Sequence, residues 1–156
     1  MNTMKIKASP YFLLKLATLL DAQFFLGAHR ILDEFNEIYL IISPTTGRPR
    51  MIIDGVGNRI FTIRAADFRL IPTIYAAKYL KELAPYPTLR VCVCNEVADV
   101  IAEGGNVFAK HVINVDDDIR AGDEVLIVNE DDELLAVGRA KLSAYEMLFF
   151  TRGVAV

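Results

Sequence analysis

A chain of 156 residues, 53% hydrophobic and 24% charged, is long enough for one ordinary domain or two small ones and too apolar to stay disordered. Its length excludes a (β/α)₈ barrel, which takes at least about 200 residues. Its longest N-terminal apolar run, Tyr11 to Leu20, is broken by Lys15 and falls short of the roughly 20 residues of a membrane span, so no membrane association is expected. The net charge of −3 is unevenly spread: residues 1–87 carry 11 basic and 7 acidic side chains, residues 88–156 carry 6 and 13.

Residues 1–9 read as a short lead with Lys5 and Lys7. No cleavage site follows a basic start, so no signal peptide is expected and the protein is expected to be cytoplasmic. Ser9 and Pro10 suit the N-cap and first position of a helix. The apolar density from Tyr11 to Leu20 predicts a helix buried on most of its faces. Asp21 is expected to cap a continuation over Ala22–Leu32, with a bend or close contact at Gly27, where glycine is unfavourable in a helix interior. Strands are predicted at Glu37–Ser43, Arg48–Asp54 and Arg59–Arg64, separated by turns at Pro44–Gly47 and Gly55–Asn58. Asp67–Ile71 is a short extended piece, and a helix starts at Pro72 or Thr73 and reaches Leu83. Ala84-Pro85-Tyr86-Pro87 is the one stiff connector. It sets the expected boundary between a domain of residues 1–84 and one of residues 85–156.

Arg90–Cys94 reads as a buried strand. Cys92 and Cys94, two apart, share a face and are expected as small core residues. A metal site would need further ligands, and only His29 and His111 are present. Asn95 is expected to cap a helix over Glu96–Glu103, ended by Gly104–Gly105 with one left-handed glycine. Short apolar runs then alternate with turns. Val107–Phe108 and Val112–Val115 precede the Asp116–Asp118 turn, and Arg120–Asp123 turns into a strand at Glu124–Val128. The polar turn Asn129–Asp132 leads to a returning strand at Glu133–Ala140. Ser143 and Glu146 have capping-box spacing, and Thr151–Val156 is expected as a closing strand. Strands at this spacing predict a small barrel or sandwich.

Four of these segments, in order, resemble the PUA domain, the RNA-binding module named after pseudouridine synthases and archaeosine transglycosylases. They are Gly104-Gly105-Asn106-Val107-Phe108-Ala109, Ile119–Val125, Leu135–Ala140 and Arg152–Val156. The first half resembles the domain that precedes PUA in archaeal tRNA-guanine transglycosylases. That likeness rests on Leu19–Phe24 with Gly27–Ala28, on Gly47–Arg50, on Thr62–Asp67 and on Thr73–Leu80. The sequence departs from the pattern at Ala22, where the family prefers tyrosine, at Phe25, where it prefers glycine, and at Phe68, where it tends to glycine. The two resemblances imply an α+β fold: an N-terminal α+β pre-PUA domain, then a C-terminal PUA β pseudo-barrel. They imply RNA binding without chemistry, since the family's catalytic barrel, zinc site and carboxylate nucleophile find no room.

Gly104, Gly105, Asn106, Ala109, Lys110 and His111 form the leading candidate RNA surface. Glycines let a phosphate or ribose approach backbone N–H groups, and Lys110 and His111 add donors. The resemblance implies that this loop and the closing strand form one surface. Phe108 is expected in the core. Gly138 beside Arg139, and Gly153 beside Arg152, read as a groove that an RNA backbone enters closely. On the first domain Arg48, Arg50, Arg64 and Arg69, with Arg59, form a basic set expected to make secondary RNA contacts. A positive local field, not the total charge, is what phosphate binding needs.

No catalytic residue, metal or cofactor is expected. Three consecutive acids at Asp116–Asp118 cannot all face one ion, and Ser143 has no histidine base near it in sequence. The expected function is non-catalytic binding of tRNA or other structured RNA such as rRNA, in RNA modification or translation, with a modification enzyme or translation factor as candidate partner. The acidic second half leaves a second expectation open: a protein-interaction adaptor subunit of an RNA-modifying or ribosome-associated complex. An enzyme with a small-molecule pocket is the third and weakest.

Overall fold

The structure, a computed structural model, describes residues 3–156. The chain divides into two compact units, Met1–Leu83 and Ala84–Val156. Both mix helices with sheets, as the α+β expectation has it.

The first unit is built on an antiparallel sheet whose five strands run in sequence order: β1 (Met4–Lys7), β2 (Ile38–Ile42), β3 (Pro49–Asp54), β4 (Arg59–Ile63) and β5 (Leu70–Pro72). The lead segment is therefore a strand. Its side chains are all exposed, so no apolar alternation announces it; main-chain pairing from Met4↔Ile42 to Lys7↔Tyr39 holds it at the edge. Lys5 lies over the Tyr39 ring, 4.5 Å from its centroid.

Helix α1 (Pro10–Gln23) starts where Ser9 Oγ accepts from Phe12 N at 3.1 Å. The expected burial on most faces is not observed. Leu16 and Leu20 are the buried residues, while Tyr11 and Leu14 are each 69% exposed. A helix on one side of a sheet has one face to bury, whatever its composition. The α-helix does not continue to Leu32. Gly27 takes φ +101°, a left-handed value that an α-helix cannot contain, and a 3₁₀ helix over Ala28–Glu34 follows. Asp21 pins this corner by accepting from His29 N at 2.8 Å. That backbone bond, aided by the His29 side chain, holds the Asp21 carboxyl below the usual carboxylate range.

At the other end of α1, Gln23 completes the edge of β5. Its Nε2 donates to Leu70 O at 2.7 Å, and its Oε1 accepts from Leu70 N at 2.8 Å. Helix α2 (Ile74–Leu83) closes the unit. The core joins Leu16, Leu20, Ile31, Ile52, Ile60, Phe61, Leu70 and Leu80. In the β3–β4 turn the buried Asp54 accepts from Val56 N (3.1 Å), Asn58 N (2.8 Å), Asn58 Nδ2 (3.0 Å) and the Tyr75 hydroxyl (3.1 Å). Burial pulls the Asp54 pKa upward, but these hydrogen bonds outweigh it and the carboxyl ends below its ordinary value. Burial first, and the bond to Asp54 second, push the Tyr75 phenol up to about 12.

The second unit holds a four-stranded sheet. Its strands are β6 (Arg90–Val93), β7 (Val112–Val115), β8 (Glu124–Val128) and β9 (Leu134–Arg139), in spatial order β7-β6-β8-β9. β6 and β8 are parallel, and the outer pairs are antiparallel. All residues of β6 and β8 are buried. Their core includes Val91, Val93, Ile101, Val107, Ile119, Val125, Ile127 and Met147. Buried Arg90 donates from Nη1 to Ala84 O (2.8 Å) and Thr88 O (3.0 Å), and its Nε and Nη2 reach Asp132 at 3.2 and 3.3 Å.

Two expectations fail here. Asn95 does not cap a helix: a 3₁₀ turn over Asn95–Val97 precedes the short α3 (Ala98–Ala102). The Asn95 side chain instead accepts from Glu130 N at 3.1 Å, and Asn95 N donates to Glu130 Oε2 at 2.8 Å, tying β6 to the β8–β9 turn. Thr151–Val156 is not a strand, and its one bridge is Phe108↔Val154. The Ser143–Glu146 capping box is present at the start of α4 (Ala144–Phe149). Cys92 is buried, which raises its thiol pKa, and its Sγ lies 3.3 Å from Asn129 O. Among the described residues no group of three His, Cys, Asp or Glu is placed to hold a metal ion, and no helix is long and apolar enough to cross a membrane.

Candidate nucleic-acid interface

The candidate surface of the second unit begins where α3 stops. Gly104 takes φ +102° with open space around it. Gly105 is glycine for another reason: a Cβ there would fall 2.7 Å from Val100 Cγ1 and 2.8 Å from Val100 O. Asn106 is exposed, and a short ladder with the end of the chain follows. Ala155 N donates to Val107 O at 2.7 Å, Val107 N to Val156 O at 3.0 Å, and Ala109 N to Gly153 O at 2.9 Å. The structure thus brings Gly104–His111 and Arg152–Gly153 together.

The ladder also explains Phe108. Val107 and Ala109 are buried, so the residue between them must point outward by the alternation of extended chain. Phe108 is 42% exposed rather than in the core, with His111 edge-on at 6.2 Å between ring centroids. A 3₁₀ turn over Ala109–His111 then presents Lys110 to solvent, while His111 is half-buried and its carbonyl accepts from Cys94 N. Arg152 is exposed beside Gly153, whose φ is +101°. Neither the Lys110 nor the Arg152 side chain is engaged by a partner among the described residues.

Gly138 and Arg139 are not part of an open groove. A Cβ at Gly138 would sit 2.6 Å from Val156 Cγ1, so the Val156 side chain fills that space. Arg139 Nε lies 3.2 Å from Oε1 of Glu124, a buried carboxylate directly across the β8–β9 ladder. Its Nε pairs with Glu124, while 43% of its side chain stays exposed.

The acid-rich turns are similarly wired into the fold. Asp116 accepts from Leu89 N and Asp118 N, Asp123 from Arg120 N, Asp132 faces Arg90, and Glu146 caps α4. The last of these lies below the usual carboxylate range because the Ser143 backbone N–H donates to it.

Sequence reasoning missed the aromatic face of α4. This helix packs on the Ala109–His111 turn and on β7. Tyr145, Leu148, Phe149 and Phe150 line a shallow apolar hollow of about 450 Å³, with Phe149 84% exposed. The available signal was the apolar run from Met147 to Phe150, longer than one buried stripe of a six-residue helix needs.

In the first unit the expected arginine set divides. Arg48, Arg50 and Arg64, joined by Arg59, line a single cavity of about 560 Å³. Arg69 does not line it, and its Nε lies 3.9 Å from Asp67. Arg64 grips Asp67 with two bonds, Nε–Oδ1 at 2.8 Å and Nη2–Oδ2 at 2.9 Å, and this contact holds the Asp67 carboxyl below its ordinary range.

Comparison with known proteins accounts for both units. Residues 90–156 match the model of the PUA domain, and residues 15–87 match the patch-forming domain C2 of tRNA-guanine transglycosylase. The chain is 43% identical to the tRNA-guanine(15) transglycosylase of Methanocaldococcus jannaschii over 144 residues, 92% of this chain and 22% of that one. It is 50% identical to the enzyme of the same name from Pyrococcus furiosus over 111 residues, 71% of this chain and 19% of that one. The chain thus spans about a fifth of the length of these curated relatives. A hypothetical protein of Pyrococcus horikoshii shares the fold, with TM-score 0.75 at 24% identity over 98% of this chain and 91% of that one. Two compact units, each matching its own family model in the same order, make this chain a PUA-domain protein that resembles the C2-plus-PUA, C-terminal region of archaeal tRNA-guanine(15) transglycosylases.

Proposed function

We propose that this protein binds tRNA through its PUA unit and makes or breaks no covalent bond itself. The observation that carries the reading is the ladder between 107–109 and 153–156. It presents two unengaged cations, Lys110 and Arg152, next to the left-handed Gly153 and the aromatic ring of Phe108. Cations next to bare backbone suit phosphate contacts, and an exposed ring suits stacking of an unpaired base. The relatives' name supplies tRNA as the RNA and base modification as the setting. The protein would act in the cytoplasm as an RNA-docking piece for a modification enzyme or a translation factor. Gly138 and Arg139 are left out of this surface: Val156 fills the space beside the glycine, and Arg139 pairs with Glu124.

The test is binding of total tRNA followed by fluorescence anisotropy at low salt. Lys110→Glu with Arg152→Glu should weaken it at least tenfold while the circular dichroism spectrum stays unchanged; equal affinities would refute the reading. A second reading, the adaptor, draws on the exposed aromatic face of α4. Under that reading tRNA is not bound at low salt, and Phe149→Ser disrupts capture of a modification enzyme.

A further inference from the structure

The first unit carries a feature that the PUA surface does not explain. Four arginines, Arg48, Arg50, Arg59 and Arg64, line one concavity of about 560 Å³. Arg64 is satisfied by the fork to Asp67. The side chains of Arg48, Arg50 and Arg59 have no partner among the described residues. Three uncompensated like charges around one hollow repel one another, and a polyanion entering it relieves that repulsion. Arginine is also the side chain best matched to phosphate, because its planar fork can donate two parallel hydrogen bonds.

The wall of the cavity is apolar at Met51, Ile63 and Phe68. Phe68 is the informative one. Its φ of +61° lies in the left-handed region, where a glycine would be free of strain. The turn that imposes it is well determined: Phe68 N donates to Arg64 O at 2.9 Å, and Asp67 Oδ1 accepts from Arg69 N at 3.2 Å. The ring is not hidden in the core, being 41% exposed. An aromatic side chain held half-exposed on a strained backbone, beside a phosphate-suited rim, points to a role in recognition.

We propose that this cavity takes one unstacked nucleotide of the bound RNA, with Arg48, Arg50 and Arg59 on its phosphates and Phe68 against its base. Arg64 is a positioning residue that fixes the Asp67–Phe68 turn. The volume falls inside the roughly 300–1,000 Å³ span of small-ligand sites. The inference rests on the reading of this chain as an RNA binder and adds a second site to it. A compact phosphate alone would need no aromatic wall, and an acidic peptide would need no base-sized hollow.

The experiment uses the full chain, with total tRNA and poly(U) as probes and poly(L-glutamate) of matched charge as the control polyanion. Arg48→Glu with Arg50→Glu should weaken tRNA binding at least tenfold. Each lost single-strand phosphate contact removes about 0.7 from the slope of log K against log salt, so the pair should lower it by about 1.4. Arg48→Gln with Arg50→Gln keeps the question answerable if the glutamates disturb the β2–β3 turn. Phe68→Gly should weaken poly(U) binding several-fold without lowering the melting temperature, because it relieves the backbone strain. A purely structural ring would behave oppositely, with a lower melting temperature and unchanged affinity. If Lys110→Glu with Arg152→Glu weakens tRNA binding and neither the arginine pair nor Phe68→Gly does, the cavity is not an RNA site although the PUA surface stands. If none of these variants changes binding, both fall. Equal affinity for poly(L-glutamate) and poly(U) would also overturn the nucleotide assignment.

Discussion

Gly138→Ala is the substitution on which two readings of the late strands part. If the glycine exists to admit an RNA backbone, a methyl group there should block RNA and leave the fold alone. The structure gives the opposite expectation. The added Cβ would stand 2.6 Å from Val156 Cγ1 and 3.5 Å from Ile127 Cδ1. Carbon atoms in ordinary contact sit about 3.5–4.0 Å apart, so the first contact is about 1 Å too short. Val156 cannot move freely, since its N–H and carbonyl both bond to Val107. Overpacking of this kind costs about 1–3 kcal/mol, and for a unit of this size about 2 kcal/mol corresponds to a fall of roughly 10 °C in melting temperature. The assay is thermal unfolding of the single variants and of Gly138→Ala with Val156→Ala, which removes the offending methyl. The double variant should be less destabilised than the sum of the singles by about 1 kcal/mol or more, the size expected for residues in contact. An unchanged melting temperature for Gly138→Ala together with weakened tRNA binding would refute the packing explanation.

Arg90→Met should destabilise the second unit by about 3 kcal/mol, because it strips the Ala84 and Thr88 carbonyls of a buried donor and leaves Asp132 without its cation; a loss below about 1 kcal/mol in urea titration would contradict this. Asp54 gives a pH prediction. Its pKa is lower in the fold than in the unfolded chain, so its contribution is fully present above the unfolded value, about 3.9, and disappears as the pH falls through the folded one. The melting temperature of the first unit should therefore drop below about pH 4, and Asp54→Asn should flatten part of that drop. An identical acid limb in the variant would rule Asp54 out as a source.

Much of the fold was legible because local chemistry and tertiary structure agree. Ser9 and Ser143 cap the helices that their positions promised, and the turns at Gly47 and Gly57 carry the positive φ that their glycines allow. The failures have physical causes. β1 has four exposed side chains, so only its partner strand defines it. Asn95 faces two competing uses for one side chain, and the bond to the distant Glu130 wins over a local cap. The reading of Phe108 as core followed its hydrophobicity, whereas the ladder with 153–156 settles its direction. Phe68 takes a left-handed φ of +61°, which its hydrophobic side chain does not announce in the sequence.

The candidate site was legible in part. Lys110 and Arg152 stood out as cations beside glycines, and chain order sufficed to pair their segments. Gly138 and Arg139 looked the same in sequence but serve Val156 and Glu124, partners that only packing reveals. The gathering of Arg59 with Arg48, Arg50 and Arg64 around one hollow also needed coordinates, because it depends on how β3 and β4 pair.

The most direct test of RNA binding is the salt dependence of tRNA affinity for the unmodified full chain. A protein that neutralises several phosphates should show log K falling linearly with log salt, by about 0.7–0.9 for each contact. A slope steeper than about −2, corresponding to three or more contacts, is the expected result. A flat dependence, or no detectable binding to tRNA at low salt, would contradict the assignment of this PUA-domain protein as an RNA binder.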